Sequence, residues 1–274
     1  MRFDREARNE VERYYDEHAH EEWERLERHR TELAVTLRAL GEYLPPPPAK
    51  VLDVGGGPGR YAVELARRGY RVVLFDLSRA CLELAREKAH EAGVELAGYE
   101  HGDARDLTRF RDGSFDAVLL LGPLYHLLAE EERRPAIREA WRVLKADGLI
   151  FAAFITRYAV VRWAAKESPE WILKNRGPLE MVLASGVLRK HPGELGFPSA
   201  YLAHPAEIVP LMESEGFETL DLIACEGVIS MIEERVNELS GELWEAWVEL
   251  NYRLGKDPSV HGAAEHLLYV GRKK

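Results

Sequence analysis

The fold is decided by the stretch Val51-Leu52-Asp53-Val54-Gly55-Gly56-Gly57-Pro58-Gly59-Arg60-Tyr61. A short apolar run stops at an acidic residue, a glycine cluster follows, and apolar residues then recur at helical spacing from Tyr61 to Ala66. This order predicts a strand, a tight turn and a helix. Glycines in the turn permit a positive φ and let a ligand approach the backbone closely. The turn is therefore a candidate binding site, and a glycine-rich loop without a ligand is the alternative.

The spacing of the glycines narrows the class of ligand. A dinucleotide-binding turn would have its third glycine at position 60, where the side chain of Arg60 would prevent close packing of the helix on the strand. Here Asp53 precedes the cluster, and the glycines alternate at positions 55, 57 and 59. This pattern resembles motif I of the class I S-adenosylmethionine (SAM)-dependent methyltransferases.

The composition sets the size of the fold and its surroundings. At 274 residues, of which 46% are hydrophobic, the chain can form one large domain or a domain with a cap. No apolar run approaches the ~18 residues needed to span a bilayer. Residues 1–6 lack the apolar stretch of a signal peptide. We therefore expect a cytoplasmic protein without a membrane partner.

Charge and cysteine usage exclude some partners and cofactors. A net charge of −10 argues mildly against a nucleic-acid partner, because phosphate binding favours a basic surface. The two cysteines, Cys81 and Cys225, have no metal or redox spacing and are expected to be buried thiols. His18 and His20 would diverge on a helix, so a solvated helix face explains them better than a metal site does. No metal is expected.

The rest of the sequence alternates between helical and extended patterns. Residues before Pro45 predict two amphipathic helices, and the proline run 45–48 links them stiffly to the first strand. Four further strands and two helices then alternate, as in a doubly wound sheet. The predicted strands are 70–75, 94–101, 115–121 and 149–155, and the predicted helices are 79–92 and 131–144.

The regular alternation breaks after residue 156. Residues 157–200 carry aromatic residues among prolines and glycines, and we interpret them as a largely helical cap. A helix at 205–215, a strand at 217–225, a long helix at 229–254 and a last strand at 265–272 follow. The two final strands are compatible with an antiparallel edge hairpin. The expected division is 1–48 as a helical lid, 49–156 with 201–274 as the core, and 157–200 as the cap.

Three more strand ends carry residues suited to the same ligand, at the edge where such sheets bind ligands. Asp76 can accept from both ribose hydroxyls, and Leu77 can pack against an adenine face. In Gly102-Asp103-Ala104 the carboxylate can accept from the adenine amino group, while the next backbone N–H reaches a ring nitrogen. Carbonyls at Leu120-Leu121-Gly122 can accept from a methionine ammonium. Each alone could be a surface turn, but four in the right order are harder to explain in that way.

From Val51 onward the sequence is similar to the class I methyltransferases. The resemblance implies an α/β, Rossmann-like, doubly wound sheet of about seven strands with a terminal antiparallel hairpin. It also implies SAM as the methyl donor and S-adenosylhomocysteine as the product. The Tyr-Tyr-Asp lid and the insertion after the fifth strand resemble the small-molecule, ubiquinone-biosynthesis-like branch, in which a lid tyrosine can bond the carboxylate end of the donor. The expected cofactor residues are Tyr14, Tyr15, Asp53, Gly55, Gly56, Gly57, Gly59, Asp76, Leu77, Gly102, Asp103, Ala104 and Leu121.

The expected chemistry requires few side chains, because sulfonium methyl transfer is an in-line displacement accelerated mainly by alignment in a dry pocket. A base is needed only where the nucleophile carries a proton with a high pKa. The segment Pro123-Leu124-Tyr125-His126 follows the fourth strand and should face the transferable methyl group. We predict His126 as a base or acceptor-orienting group, with Tyr125 lining the same site. Helix capping by His126 and core packing by Tyr125 are the alternatives.

The cap is expected to supply the acceptor pocket. It mixes aromatic surface with a few hydrogen-bond donors, as ligand pockets do, and an arginine pair there would suit an acidic or phenolic acceptor. Most of these aromatic residues could instead form the core of the cap. The candidates are Arg157, Tyr158, Arg162, Trp163, His191, Phe197 and Tyr201, with Glu226 directly after the strand 217–225.

The predicted function is methyl transfer from SAM to a small-molecule O, N or S nucleophile, by a monomer or homodimer. Methyltransferases that act on exocyclic amines of nucleic acids typically carry Asn or Asp followed by Pro-Pro-aromatic after the fourth strand. Residues 121–125 lack that acid and the second proline, so a nucleic-acid or protein substrate is the weaker alternative. The glycine spacing disfavours a nicotinamide-dependent oxidoreductase, and a non-catalytic SAM-binding protein stays open.

Overall fold

Seven strands form one sheet in the computed structural model, which describes residues 5–190 and 197–274. Their order across the sheet is β3-β2-β1-β4-β5-β9-β8, and the short strands β6 and β7 pair separately. In chain order the strands are Lys50–Val54, Arg71–Asp76, Gly98–His101, Phe115–Leu120, Leu144–Ile155, Val187–Leu188, Ala200–Tyr201, Phe217–Ala224 and His266–Lys273, numbered β1 to β9.

The strand directions confirm the expected sheet. Strands β1 to β5 are parallel, whereas β9 is antiparallel to both β5 and β8 and lies between them. Strand β1 pairs with β2 on one side and with β4 on the other, so the strand order reverses at β1. Ligands of doubly wound sheets bind at the carboxyl ends of the strands beside such a reversal.

Helices cover both faces of the sheet, as the continuous apolar strands predict. Alternate residues of β1 enter two separate cores, because side chains of a strand point to opposite faces: Leu52 joins one core and Val51 the other. Helices α1 to α13 are Arg5–Glu17, Ala19–Arg28, Arg30–Tyr43, Arg60–Arg67, Arg79–Glu91, Pro123–His126, Glu130–Val143, Ala159–Glu167, Trp171–Lys174, Arg176–Ser185, Pro205–Ser214, Glu233–Asn237 and Gly241–Gly255, with 3₁₀ helices at Gly227–Ile232 and Pro258–Ala263.

Several predicted element boundaries were wrong. The N-terminal segment forms three helices instead of two, because the chain leaves helical geometry at His18 and again at His29. The long helix expected at 229–254 is divided into a 3₁₀ helix, α12 and α13, with Gly241 at a φ of 59° at the last break. Strand β3 starts at Gly98 instead of residue 94, and β5 starts at Leu144 instead of residue 149. The positive φ of Gly241 is a local departure from helical geometry, which the spacing of apolar residues does not indicate.

The insertion is largely helical, as expected, and contains α8, α9 and α10 followed by the short β6–β7 pair. The two cysteines are free and buried, which confirms the prediction for them. Within the described ranges, no helix is both long enough and apolar enough to cross a bilayer.

Candidate active site

The turn between β1 and α4 can be built only with glycine at key positions. Gly55, Gly57 and Gly59 have φ values of 67°, 55° and 82°, in the left-handed region that other residues rarely adopt. At Gly56 the reason is space, because a Cβ atom there would lie 2.5 Å from the carboxyl carbon of Asp53. Gly59 serves the fold, since it precedes α4 as its N-cap and packs near Ala85.

Asp76 ties this turn to the end of the neighbouring strand β2. Its Oδ2 accepts a hydrogen bond from the backbone N–H of Gly57 at 2.8 Å, and its Oδ1 accepts from Ser78 N–H at 2.7 Å. Ser78 in turn caps α5, because its hydroxyl oxygen accepts from Cys81 N–H. Burial raises the pKa of Asp76 to about 6, against the effect of these N–H groups. The carboxylate is therefore held in place by the backbone before any ligand binds.

Asp53 lies beneath the turn with both carboxylate oxygens buried and without a hydrogen-bond partner within residues 5–190 and 197–274. Burial, and secondarily the charge of Asp76, raise its pKa to about 7. Buried acids without partners are uncommon and often mark functional sites. The side chain lies under Gly56 and supports the turn from below.

A cavity opens above the turn and brings most of the predicted site together. Its wall includes twelve predicted residues: Tyr15, Gly55, Gly56, Gly57, Asp76, Leu77, Gly102, Asp103, Ala104, Leu121, Tyr125 and His126. Asp53, Gly59 and Tyr14 are outside this wall. The wall also contains charged residues that no sequence motif indicated: Arg8, Glu22, Arg25, Arg105 and Glu132. Four of them lie on helices, where charged residues usually form a solvated face, and Arg105 lies in the loop after β3.

Asp103 is more strongly paired than the sequence suggests. Burial alone would raise its pKa, but two side-chain hydrogen bonds from Arg105 hold the pKa below its usual value. Arg105 is itself buried and also donates to Glu132 at 2.7 Å. Arg8 of α1 approaches the same carboxylate at 3.6 Å. Asp103 thus enters the cavity wall as part of an ionic cluster.

Tyr15 and His126 contact each other in the cavity wall. The Tyr15 hydroxyl lies 2.8 Å from Nε2 of His126, which connects α1 to α6. Burial lowers the pKa of His126 to about 4, so the imidazole is neutral at neutral pH. Phe197 approaches the rings of both Tyr125 and His126, with centroids 6.3 and 5.3 Å away. Side chains from the N-terminal helices, the turn after β4 and the insertion therefore meet here.

The predicted acceptor residues Arg157, Tyr158, Arg162 and Tyr201 lie outside this cavity wall, and the polar groups of Arg157, Arg162 and Tyr201 have protein partners. Arg157 and Tyr201 both bind Glu207, at 2.5 and 2.6 Å, and Arg162 donates to the Ser230 hydroxyl at 2.7 Å. The ring of Tyr158 packs 6.1 Å from that of His204. These contacts attach the insertion to the core, and the structure does not bring the four residues to the site. His191 lies outside the described residues.

Glu226 belongs to a buried charge cluster instead of the cavity wall. It accepts backbone N–H groups from Glu265 and His266, and its Oε1 lies 2.6 Å from His266 Nδ1. Glu32, Glu226 and His266 offer ligand atoms within 4.8 Å of one another, which is short enough for a metal ion. Arg25 already pairs with Glu32 at 2.7 Å, and the two acids raise the pKa of His266 to about 9 despite its burial. Ion pairs thus account for this cluster.

The cavity has the chemical groups that SAM requires. SAM carries a sulfonium, an ammonium, ribose hydroxyls and an adenine amino group, all of which are cationic or donate hydrogen bonds. The wall offers carboxylates at Glu22, Asp76 and Asp103. The glycine turn gives the close backbone approach, since a Cβ at Gly122 would also collide with the carbonyl of Gly55 at 2.9 Å. Asp53 lies beneath the same turn, with its pKa raised to about 7 by burial.

Comparisons with known proteins agree with this site. Residues 51–148 match the family described as methyltransferase domain. Ubiquinone biosynthesis O-methyltransferase of Xanthomonas axonopodis pv. citri is 31% identical over 140 residues, covering 51% of this chain and 57% of the relative. The tRNA 5-carboxymethoxyuridine methyltransferase of Escherichia coli K12 is 29% identical over 127 residues, covering 45% of this chain and 46% of the relative. The chain thus spans about half the length of these relatives.

The fold has solved counterparts. A SAM-dependent methyltransferase from Methanosarcina mazei superposes with a TM-score of 0.59 at 21% identity, covering 86% of this chain and 96% of that one. This similarity extends the match beyond residues 51–148 at the level of fold. Sheet order, glycine turn, strand-end acids and family match agree with one another. Residues 51–148 therefore form a methyltransferase domain, for which SAM is the cofactor, and the chain shares its fold with a SAM-dependent methyltransferase.

Proposed function

We propose that the protein transfers the methyl group of SAM to an O, N or S nucleophile of a small molecule, leaving S-adenosylhomocysteine. One observation carries the proposal: a single cavity joins the glycine turn and Asp76 to the aromatic group of Tyr15, Tyr125 and His126. The first set suits a nucleoside, and the second gives a dry, apolar place for the acceptor. The relative that acts in ubiquinone biosynthesis supports a small-molecule acceptor.

The residues of the chain would divide the work of binding as follows. Asp76, fixed by Gly57 and Ser78, would accept hydrogen bonds from the ribose, and Leu77 would pack on the adenine. Asp103 and the backbone at Ala104 would receive the adenine edge, and the carbonyl at Leu121 would face the ammonium. SAM supplies an electrophilic methyl group when bound. The protein contributes alignment and exclusion of water, which are the main sources of rate enhancement in such a displacement.

His126 would orient the acceptor more than it would remove a proton. With a pKa of about 4 it holds protons weakly, and its Nε2 is already bonded to Tyr15. A base of that strength gains little against an alcohol or phenol. This favours acceptors whose nucleophilic atom is already unprotonated near neutral pH. Helices α1 and α2 would act as the lid within residues 1–48, and residues 157–200 as the cap.

A nucleic-acid acceptor is the second candidate, because one relative is named as a tRNA methyltransferase. The net charge of −10 disfavours this candidate, since phosphates favour a basic surface.

Two experiments test the proposal. Calorimetry with SAM, S-adenosylhomocysteine and NAD should show binding of both adenosyl-sulfur compounds, and binding of NAD alone would end the proposal. A panel of phenols, amines, thiols, carboxylates and bulk tRNA should then be screened for S-adenosylhomocysteine production. Turnover on tRNA but on no small molecule would transfer the assignment to the second candidate.

A further inference from the structure

Large hydrophobic side chains are exposed in only one part of the described chain. Over residues 5–190 and 197–274, all ten of them lie between Trp163 and Leu243, and none lines the cofactor cavity. Isolated apolar residues are normal on a protein surface, whereas a concentration of them marks an interaction surface. The ten are Trp163, Ile172, Leu173, Met181, Leu183, Phe197, Val228, Met231, Ile232 and Leu243.

Helix α9 and the residues directly after it combine apolar side chains with positive charge. Ile172 and Leu173 are 46% and 67% exposed, and the exposed cations Lys174 and Arg176 follow them. Residues 171–179 contain no acid. These four exposed side chains, Ile172, Leu173, Lys174 and Arg176, form what we call the α9 surface.

The 3₁₀ helix Gly227–Ile232 and α12 combine apolar side chains with negative charge. Val228 and Met231 are exposed and three residues apart, which places them on one face of a 3₁₀ helix. Glu234 and Glu238 are exposed and four residues apart, on one face of α12 and its C-cap. Over residues 234–245, exposed acids outnumber exposed arginines by four to one. The α12 surface comprises Val228, Met231, Ile232, Glu234 and Glu238.

Helix α8 lies between the two surfaces. Its Arg162 Nε donates to the Ser230 hydroxyl of the 3₁₀ helix at 2.7 Å. The next residue, Trp163, is 46% exposed, and its ring centroid lies 6.2 Å from that of Trp171 on α9. The α9 and α12 surfaces are therefore neighbours on one side of the molecule, with the exposed indole of Trp163 between them.

A second copy of the chain matches this arrangement. A two-fold axis brings the same patch of both subunits together, so a self-complementary patch is needed. With the axis near Trp163, the α9 surface of each copy would face the α12 surface of the other. Apolar side chains then meet, and the two cations of one surface face the two acids of the other. An anionic lipid surface suits the α9 surface alone, because the acids of the α12 surface would be repelled.

We propose that the protein forms a two-fold symmetric homodimer, in which the α9 surface of each subunit binds the α12 surface of its partner around Trp163. The interface contains this contact twice. It would also fix the insertion, which reaches the cofactor cavity through the contact of Phe197 with His126.

The oligomeric state of the full chain tests the proposal. Light scattering after size exclusion, at micromolar concentration, should give twice the chain mass of 31.2 kDa. Sedimentation should show that Leu173→Asp raises the dimer Kd about tenfold or more, because it places a charge in the apolar contact. Arg111→Glu, at an exposed cation in the loop between β3 and β4, is the control and should leave the Kd unchanged.

Charge reversal tests the pairing of the two surfaces. One variant carries Lys174→Glu with Arg176→Glu, and the other carries Glu234→Lys with Glu238→Lys. Each alone places like charges together in both contacts, so its dimer Kd should rise about tenfold or more. A mixture of the two variants pairs opposite charges in both contacts of the mixed dimer. The mixture should therefore dimerise as wild type does, which a folding defect in either variant would prevent.

Each result decides for or against this interface. Weakened dimers of the separate variants, together with a dimeric mixture, support it. A mixture that stays monomeric, or a Leu173→Asp dimer as tight as wild type, overturns it. A monomeric wild type also overturns it, and sedimentation of that monomer with phosphatidylglycerol vesicles would assign the apolar side chains to a lipid surface instead.

Discussion

The hydrogen bond of 2.8 Å between the Tyr15 hydroxyl and His126 Nε2 joins the first helix to the turn after β4. Both side chains line the cavity, although the two residues are 111 positions apart in the sequence. Together with the ring of Phe197, this bond closes the aromatic end of the site.

Loss of this bond should destabilise the folded chain. We expect Tyr15→Phe to lower the free energy of unfolding by about 1–3 kcal/mol, because it leaves a buried imidazole nitrogen without its partner. Tyr14→Phe is the control, since the neighbouring ring stacks on His18 instead. Urea unfolding measures both variants. Equal effects of the two substitutions would show that the bond to His126 contributes nothing specific.

Removal of the imidazole should affect turnover and not donor binding. We expect His126→Ala to lower kcat about tenfold, within the range for a lost positioning contact, while the Kd for S-adenosylhomocysteine stays within about twofold. His90→Ala, an exposed histidine, is the control. Since the pKa of His126 is about 4, its titration should not appear in wild-type kcat between pH 5.5 and 8. A step near pH 6.5 that disappears in His126→Ala would contradict this.

Substitution of Gly56 should destabilise the fold, because there is no room for a Cβ atom at this position. A Cβ atom there would meet both Asp53 and Leu74 at 2.5 Å, so we expect Gly56→Ala to destabilise by about 1–3 kcal/mol or more. At Gly177 in α10 a Cβ would meet nothing within 4 Å, so Gly177→Ala should be neutral or slightly stabilising. Thermal unfolding compares the two variants, and a tolerated Gly56→Ala would mean that the turn can move away from Asp53.

The carboxylate of Asp76 should contribute to the binding of the methyl donor. We expect Asp76→Ala to weaken S-adenosylhomocysteine binding by about 1–3 kcal/mol, through loss of a fixed charged acceptor and of its bond to Gly57. Asp112→Ala provides the comparison, because that side chain is 79% exposed and distant from the cavity wall. Calorimetry decides, and an unchanged Kd would show that the ribose binds elsewhere.

The buried histidine cluster predicts a loss of stability at high pH. The folded-state pKa of His266 is about 9, above its usual 6.5, so the folded state holds the proton more tightly. The stabilisation is fully present below pH 6.5 and is lost as pH rises through 9, by about 1–3 kcal/mol. Urea unfolding of wild type and His266→Gln should therefore converge between pH 6 and pH 10. The control is His90→Gln, at an exposed histidine. If the free energies of unfolding of wild type and His266→Gln differed by a constant amount across this range, the raised pKa of His266 would be refuted.

The sequence by itself determined the sheet, the turn and many of the residues that line the cavity. These features are local: Asp53 and the glycines lie at the end of one strand, and Asp76 and Asp103 lie at the ends of the next two. Parallel strands bring their carboxyl ends to one edge, so chain order alone predicts that these residues converge. The identities at positions 55–59 were decisive, because positive φ and the space above Asp53 leave little choice.

Only the tertiary structure decided which charged residues reach the cavity. Arg25 has the spacing of a solvated helix face. It lines the site because α2 packs where Glu32, which also faces His266, binds the guanidinium. Arg157 and Arg162 have the composition of an acceptor pocket, yet they bind Glu207 and Ser230 and attach the insertion to the core. Local periodicity gives the face of a helix. Which neighbour covers that face depends on contacts between distant parts of the chain, and a sequence pattern does not encode these.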